Sequence, residues 1–338
     1  MKTPASSSGM LHAMLVGACF FSALAGAAWL INGRLPFPSV PEISPRFRYF
    51  ADRKDEFDTV FIGSSRIRHQ VIPGYFDAAT AAQGVPTHSF NFGYSGMWPP
   101  ESYYYLRQVL ALHPRQLRWV IIELMDYRFG QAEGQATTAR SVYWHDAKHT
   151  AMAWRLVAES TLPPVEKLTL LADHTRLFLQ RMANLGRGAE WLQQRYFPPK
   201  KKRDASWIVR GGFDPEVPGE WSESARADYA QKIREFERAG AKGRVRPGFA
   251  AALQGMAGEV RRAGAEPIFV LPPTVRVEEK LEDGLPGDLT VWAFDHPDQY
   301  PRLYQSELHY DPGHLNEAGA QEFTDLLVQR LAELARKR

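Results

Sequence analysis

The chain has 338 residues, 44% hydrophobic and 23% charged, enough for one or two domains built around a full core. A formal net charge of +3 is too small to mark a nucleic-acid partner, and the one basic run, KKKR at 200–203, reads as a solvated loop after Pro198 and Pro199. The single cysteine, Cys19, excludes an intrachain disulfide and a thiol-based metal site.

From Met10 to Ile31 runs an apolar stretch of 22 residues without formal charge apart from a protonatable His12. As a helix it would extend about 33 Å, enough to cross a hydrocarbon core of about 30 Å. Lys2 precedes it and the proline-rich LPFPSVPEISP follows, so residues 1–32 read as an uncleaved signal anchor, a transmembrane helix, and 33–55 as a linker. Two rivals are legible. Ala23-Leu24-Ala25 has the small-x-small form of a signal-peptidase site, although the apolar run continues through Ile31. Val16-Gly17-Ala18-Cys19 loosely resembles a lipoprotein site. Arg34, Arg46 and Arg48 against Lys2 would hold the large domain in the cytoplasm by the positive-inside rule. A single N-terminal span before a long domain is nonetheless the form of an export signal, and the outer side is the expectation.

Five short apolar runs then read as strands: residues 59–62, 88–92, 119–124, 267–271 and 289–294. They are apolar throughout and separated by helical patterns such as 101–112, which implies a parallel sheet covered on both faces. Between Tyr127 and Pro247 the strand pattern disappears, and 147–160, 163–187 and 221–240 look helical. The α/β frame is therefore expected in two parts, 56–127 and 248–338, around a mostly helical insertion at 128–247. A last amphipathic helix over 317–337 carries Phe323, Leu326, Leu327, Leu331 and Leu334 on one face.

Gly63-Ser64-Ser65 follows directly on the first strand. The carboxyl ends of parallel strands face a ligand crevice, so Ser65 is a candidate nucleophile, while serine and glycine also serve routinely as a helix cap or turn. Asp311-Pro312-Gly313-His314 precedes the last helix, with Asn316 as its N-cap. An Asp three residues before a His can orient one imidazole nitrogen and leave the other to accept a hydroxyl proton.

Together these motifs resemble the SGNH (GDSL-like) hydrolase superfamily. Gly63-Ser64-Ser65 matches its Gly-Asp-Ser block, with Ser64 in place of Asp. Asn91-Phe92-Gly93-Tyr94-Ser95-Gly96 matches its second block, and Asp311 with His314 its last. The resemblance implies a three-layer α/β/α fold with a mostly parallel five-stranded sheet of SGNH/flavodoxin-like type. It implies Ser65, Asp311 and His314 as catalytic residues, and an oxyanion hole from the backbone N–H groups of Ser65 and Gly96. It implies no cofactor, and the sequence has no phosphate loop, paired-cysteine site or His-Glu-x-x-His; His145, His149 and His174 are scattered. One block departs: Glu123-Leu124-Met125-Asp126-Tyr127 stands where the family has Gly-x-Asn-Asp. An ionised Asp126 would oppose an oxyanion, so Tyr127 or Arg128 would have to replace the Asn, or the hole is weaker.

Gly-Ser-Ser-Arg behind an N-terminal anchor resembles the subset of bacterial cell-envelope proteins that assist polysaccharide O-acylation. Members of that subset often act beside a multi-span membrane O-acyltransferase, and this chain is expected in the inner membrane by a single span, with its domain on the periplasmic side. The expected function is a serine-dependent O-acyl, chiefly acetyl, esterase or acyltransferase on an envelope or exported polysaccharide. The alternative is a catalytically weak accessory protein that binds the polymer or the acyltransferase. Arg66, Asn91, Trp98 and Asp126 are candidates to touch substrate; Arg68 and His69 share the first turn with Arg66. Each has an ordinary surface or packing role as its rival.

Overall fold

All five apolar runs form strands: β1 (Thr59–Gly63), β2 (Ser89–Gly93), β3 (Trp119–Glu123), β4 (Glu266–Leu271) and β5 (Thr290–Ala293). In the computed structural model, which describes residues 7–32, 35, 37–127, 129–130, 138–184, 186–196, 206–215, 221–239, 245–277, 281 and 284–337, they make one sheet in the order β2-β1-β3-β4-β5. Every pairing is parallel, with Ile62 beside both Phe92 and Ile122. The chain moves outward from β1 to β2 and then returns past β1 to β3. The order therefore reverses between β1 and β3, and their carboxyl ends open a crevice there.

Alternate residues of each strand enter different cores. Val60, Ile62, Val120, Ile122 and Phe269 pack on one face of the sheet, and Phe61, Ile121, Ile268 and Val270 on the other. Burial on both faces is what removes the polar alternation from these strands.

The apolar N-terminal run is helix α1 (Ser7–Asn32), long and apolar enough to cross a membrane. The segment read as linker contains α2 (Ile43–Arg53), whose Ile43, Phe47 and Phe50 are buried in the first core. Their i, i+4, i+7 spacing is a helical stripe, and Pro45 is tolerated because it lies in the first turn, where N–H groups lack intrahelical acceptors. Helices α3 (Ser65–Gln70) and α4 (Pro73–Ala82) follow β1, and α5 (Glu101–Leu110) follows β2.

The insertion carries α6 (Ala139–Tyr143), α7 (Ala147–Glu159), α8 (Pro164–Met182), α9 (Arg187–Tyr196), α10 (Ser206–Val209) and α11 (Glu223–Arg238). It is helical as expected, but it is not set apart from the sheet domain. Ala153, Leu156 and Val157 of α7 belong to the first core, and Tyr229 of α11 to the second. Helix α12 (Pro247–Arg262) leads back to β4. A short antiparallel pair, β6 (His309–Asp311) and β7 (His314–Leu315), then precedes α13 (Glu317–Arg336), which lies against α3 and α4. KKKR 200–203 and Arg128 lie outside the described residues.

Candidate active site

The site grows from the carboxyl end of β1. Gly63 ends the strand and Ser64 caps α3: its extended backbone (φ −80°, ψ −161°) lets its Oγ accept from Arg66 N at 3.2 Å. The cap role weighed for this turn therefore falls to Ser64. Ser65, the first helical residue, keeps its hydroxyl for the crevice. Side-chain-free glycine is required beside it, because a Cβ on Gly63 would overlap Ile67 and Glu123, and one on Gly93 would overlap the backbone of Arg68.

Glu123, at the end of β3, fixes this turn from below. Its Oε2 accepts from Ser64 N at 2.5 Å, and its Oε1 accepts from Ser64 Oγ at 3.1 Å and from Arg66 Nε at 2.8 Å. The carboxylate is wholly buried and Arg66 nearly so. A buried charge persists only when paired and hydrogen-bonded, and here both conditions are met. Glu123 was not singled out from the sequence, although a lone acid ending the apolar run Trp119–Ile122 was a usable signal.

The β6–β7 hairpin brings a histidine to Ser65. His314 Nε2 lies 2.8 Å from Ser65 Oγ, and His314 Nδ1 lies 2.9 and 3.0 Å from the two oxygens of Asp311. The carboxylate only accepts, so Nδ1 carries the proton and Nε2 presents a lone pair to the serine hydroxyl. Against burial, which raises it, the hydrogen bond and charge of His314 hold the Asp311 carboxyl below its ordinary range. Asp311 also accepts from Gly313 N at 2.7 Å, which closes the loop. The insertion braces the hairpin, with Trp221 Nε1 donating to Tyr310 O at 3.2 Å and Tyr229 OH 2.9 Å from His309 Nε2.

Ser65, Gly96, Trp98, Arg66 and His314 line one cavity of 190 Å³, with Met125, Thr274 and Arg276 on its other walls. Gly96 has φ 66°, a conformation glycine adopts freely. Arg140 holds its carbonyl at 2.8 Å and that of Ser95 at 3.1 Å while pairing both oxygens of Glu101 at 2.8 Å. The backbone N–H groups of Ser65 and Gly96 have no acceptor among the described residues. A larger depression of 790 Å³ opens at the other end of the strands, beside Arg118 and Glu266, and holds none of these residues.

No protein-family model and no curated protein matches this chain. The site is thus read from its own geometry.

That geometry brings together Ser65, Asp311, His314, Gly96, Arg66 and Trp98, and corrects three other readings. Asn91 is fully buried and lies outside the cleft; its Nδ2 donates to Ile67 O and Val71 O at 2.7 and 2.9 Å, and its Oδ1 accepts from Gly93 N. It ties α3 to β2. Asp126 turns away to Arg246 Nη2 at 2.6 Å, so its charge does not face the serine. Tyr127 OH lies against His174 Nε2 at 3.4 Å and is no replacement oxyanion donor. Arg68 pairs with Asp214 at 2.5 Å and Glu42 at 2.6 Å, and His69 Nδ1 contacts Asp214 O at 2.6 Å. His145 and His174, scattered in the sequence, meet at 2.9 Å in the insertion. Burial lowers both, His145 to about 2.

Proposed function

We propose that the chain is an SGNH-type serine enzyme of three-layer α/β/α architecture that transfers or hydrolyses O-acyl groups on a bacterial cell-envelope polysaccharide. The observation that carries this reading is the continuous relay Asp311–His314–Ser65, with contacts of 2.9 and 2.8 Å, at a cleft lined by Ser65 and Gly96, whose backbone N–H groups have no acceptor among the described residues. Ser65 Oγ bonds to the acyl carbon while His314 Nε2 takes its proton. The tetrahedral oxyanion lies against the N–H groups of Ser65 and Gly96, whose fixed positions are worth a few kcal/mol in such sites (about 3 per donor). Nε2 then protonates the departing sugar oxygen, leaving an acyl ester on Ser65. Water or a second sugar hydroxyl attacks that ester, gives its proton to Nε2, and Ser65 leaves with it. Asp311 holds the imidazole in the required tautomer throughout.

The 190 Å³ cavity supports a short acyl group. At about 30 Å³ per water-sized group, roughly six such groups fit, enough for an acetyl ester and one edge of a sugar. Trp98 offers an apolar wall for that edge and Arg66 a positive one. Helix α1 supports a membrane anchor, and the reading puts the domain on the periplasmic side of the inner membrane, where the polymer and a multi-span acyltransferase would be met.

Labelling by a fluorophosphonate tests the nucleophile: the wild type labels and Ser65→Ala does not. Labelling that survives in Ser65→Ala overturns the assignment. Met125 lines the cleft and no side-chain amide does among its lining residues, which is the one observation favouring the accessory-protein reading. A wild type that never labels would make that reading the better one. A C-terminal reporter active only outside the cytoplasm tests the orientation.

A further inference from the structure

Outside α1, every exposed large apolar side chain among the described residues lies on α8 or α9: Val165, Leu168 and Leu179 on the first, Trp191, Leu192 and Tyr196 on the second. Single exposed apolar residues need no explanation, but confinement of all of them to two consecutive helices does. On α8 they form a stripe. Steps of three, four and seven residues carry it from Val165 through Leu168 and exposed Ala172 to Leu179, opposite the face that buries His174 and Leu177.

The corner after this stripe is fastened to α1. Asn184 ends α8 in the left-handed region (φ 54°), and its Nδ2 donates to Ala28 O at 3.2 Å. Ala28 is buried, at 7% exposure, while only 6% of the most apolar 18-residue stretch of α1 is covered in all. Helix α8 therefore meets α1 near one end and does not run beside it. Ala28 lies four residues before Asn32, about 6 Å inside that end. Interfacial helices sit about 5–10 Å into the boundary between headgroups and acyl chains, the same depth. Trp191 and Tyr196 are the aromatic types that favour this zone.

We propose that the exposed face of α8 and α9 lies in the headgroup region of the bilayer that α1 enters, so that the domain rests on the membrane on a fixed side. The proposal rests on the reading of α1 as an uncleaved span. It has a consequence for the cleft: α8 packs on α6, whose Arg140 clamps Gly96, and Arg181 of α8 reaches Tyr104 OH on α5 at 3.1 Å. The surface seat and the cleft are thereby held at one height above the lipid.

The test uses the full chain with Cys19→Ser in vesicles of phosphatidylethanolamine and phosphatidylglycerol. Single cysteines replace Leu168, Leu179, Leu192, Leu24 on α1 or Asp228 on α11, and each carries a nitroxide. Collision with oxygen, which concentrates in lipid, is compared with collision with a water-soluble nickel chelate. The expected result is an oxygen-to-nickel ratio several-fold higher at Leu179, Leu192 and Leu168 than at Asp228, and highest at Leu24. Ratios at the three stripe positions equal to that at Asp228, with Leu24 in lipid, overturn the surface seat and leave the anchor standing. A wet Leu24 overturns the anchor, and the seat with it. Stripe labels shielded from both reagents show that a second copy covers the face, which also overturns the proposal.

Discussion

Glu123 and Asp311 both serve the Ser65 turn, yet Glu123 is sealed at the end of a central strand with 0% of its side chain exposed, while Asp311 sits on a two-strand hairpin with 41% exposed. Glu123 accepts from a backbone N–H, a hydroxyl and a guanidinium, all within the turn it organises. Asp311 accepts from its own loop and from the imidazole. The serine half of the site is thus continuous with the core, and the histidine half is a surface hairpin held from outside by α11. A change in the first should be felt as stability, and in the second as rate.

The comparison is broken most severely at His314. His314→Ala should lower acyl-ester turnover about 10⁴-fold or more, with the thermal midpoint unchanged, since the base and its relay are lost together. Asp311→Asn should follow with about a 10²–10³-fold loss in kcat, less than for a buried triad acid because water screens this one. Both are read in an esterase assay beside a melting curve. A comparable fall in melting temperature for either would place the hairpin in the core. Glu123→Ala should do the reverse and lower unfolding free energy by about 3–5 kcal/mol, because it removes the buried acceptor of Ser64 N, Ser64 Oγ and Arg66 Nε at once. Urea denaturation measures it, and a cost under 1 kcal/mol would remove the distinction.

Acid sharpens the same contrast. Burial lowers His145 (to about 2), His174 and His309, so each is neutral in the fold and takes up a proton on unfolding. Their contribution is complete above the ordinary histidine value of 6.5 and is lost as pH falls below it, by at most about 1.4 kcal/mol per unit for each group. Asp311, lowered from 3.8, keeps its contribution until the pH falls through and below that value. Urea midpoints between pH 7 and 4 should therefore fall, and fall less steeply in His145→Asn. A flat profile would contradict the buried neutral pair. The smallest effect is expected at Asp126→Asn, which trims a part-exposed ion pair with Arg246 for less than about 1 kcal/mol and leaves turnover unchanged. A change in rate would return Asp126 to the site.

The strands and the meeting of Ser65, His314 and Asp311 were legible because their signals are local: apolar runs buried on both faces, a glycine-serine stop after one, an Asp-x-x-His before a capped helix. Asn91 misled because it stands in a motif block, yet whether an amide faces a cleft or three backbone groups depends on which helix packs over it. Asp126 was weighed without Arg246, its partner 120 residues later. Glu123, Arg140 and the bracing residues Trp221 and Tyr229 were missed for the same reason, since each acts across elements far apart in the chain. Helix α2 was hidden by Pro45 and the prolines before it, and the insertion's place in both cores by its lack of strands.

The hydrogen bond between His314 and Ser65 joins residues 249 positions apart, across the whole insertion. The hairpin that brings the histidine is followed at once by α13, which docks on α3 and α4. The contact therefore depends on how α13 seats on α3 and α4, and a change that loosens that seat would be felt at the serine. On the function proposed above, the acyl-handling site would be complete only with α13 in its seat.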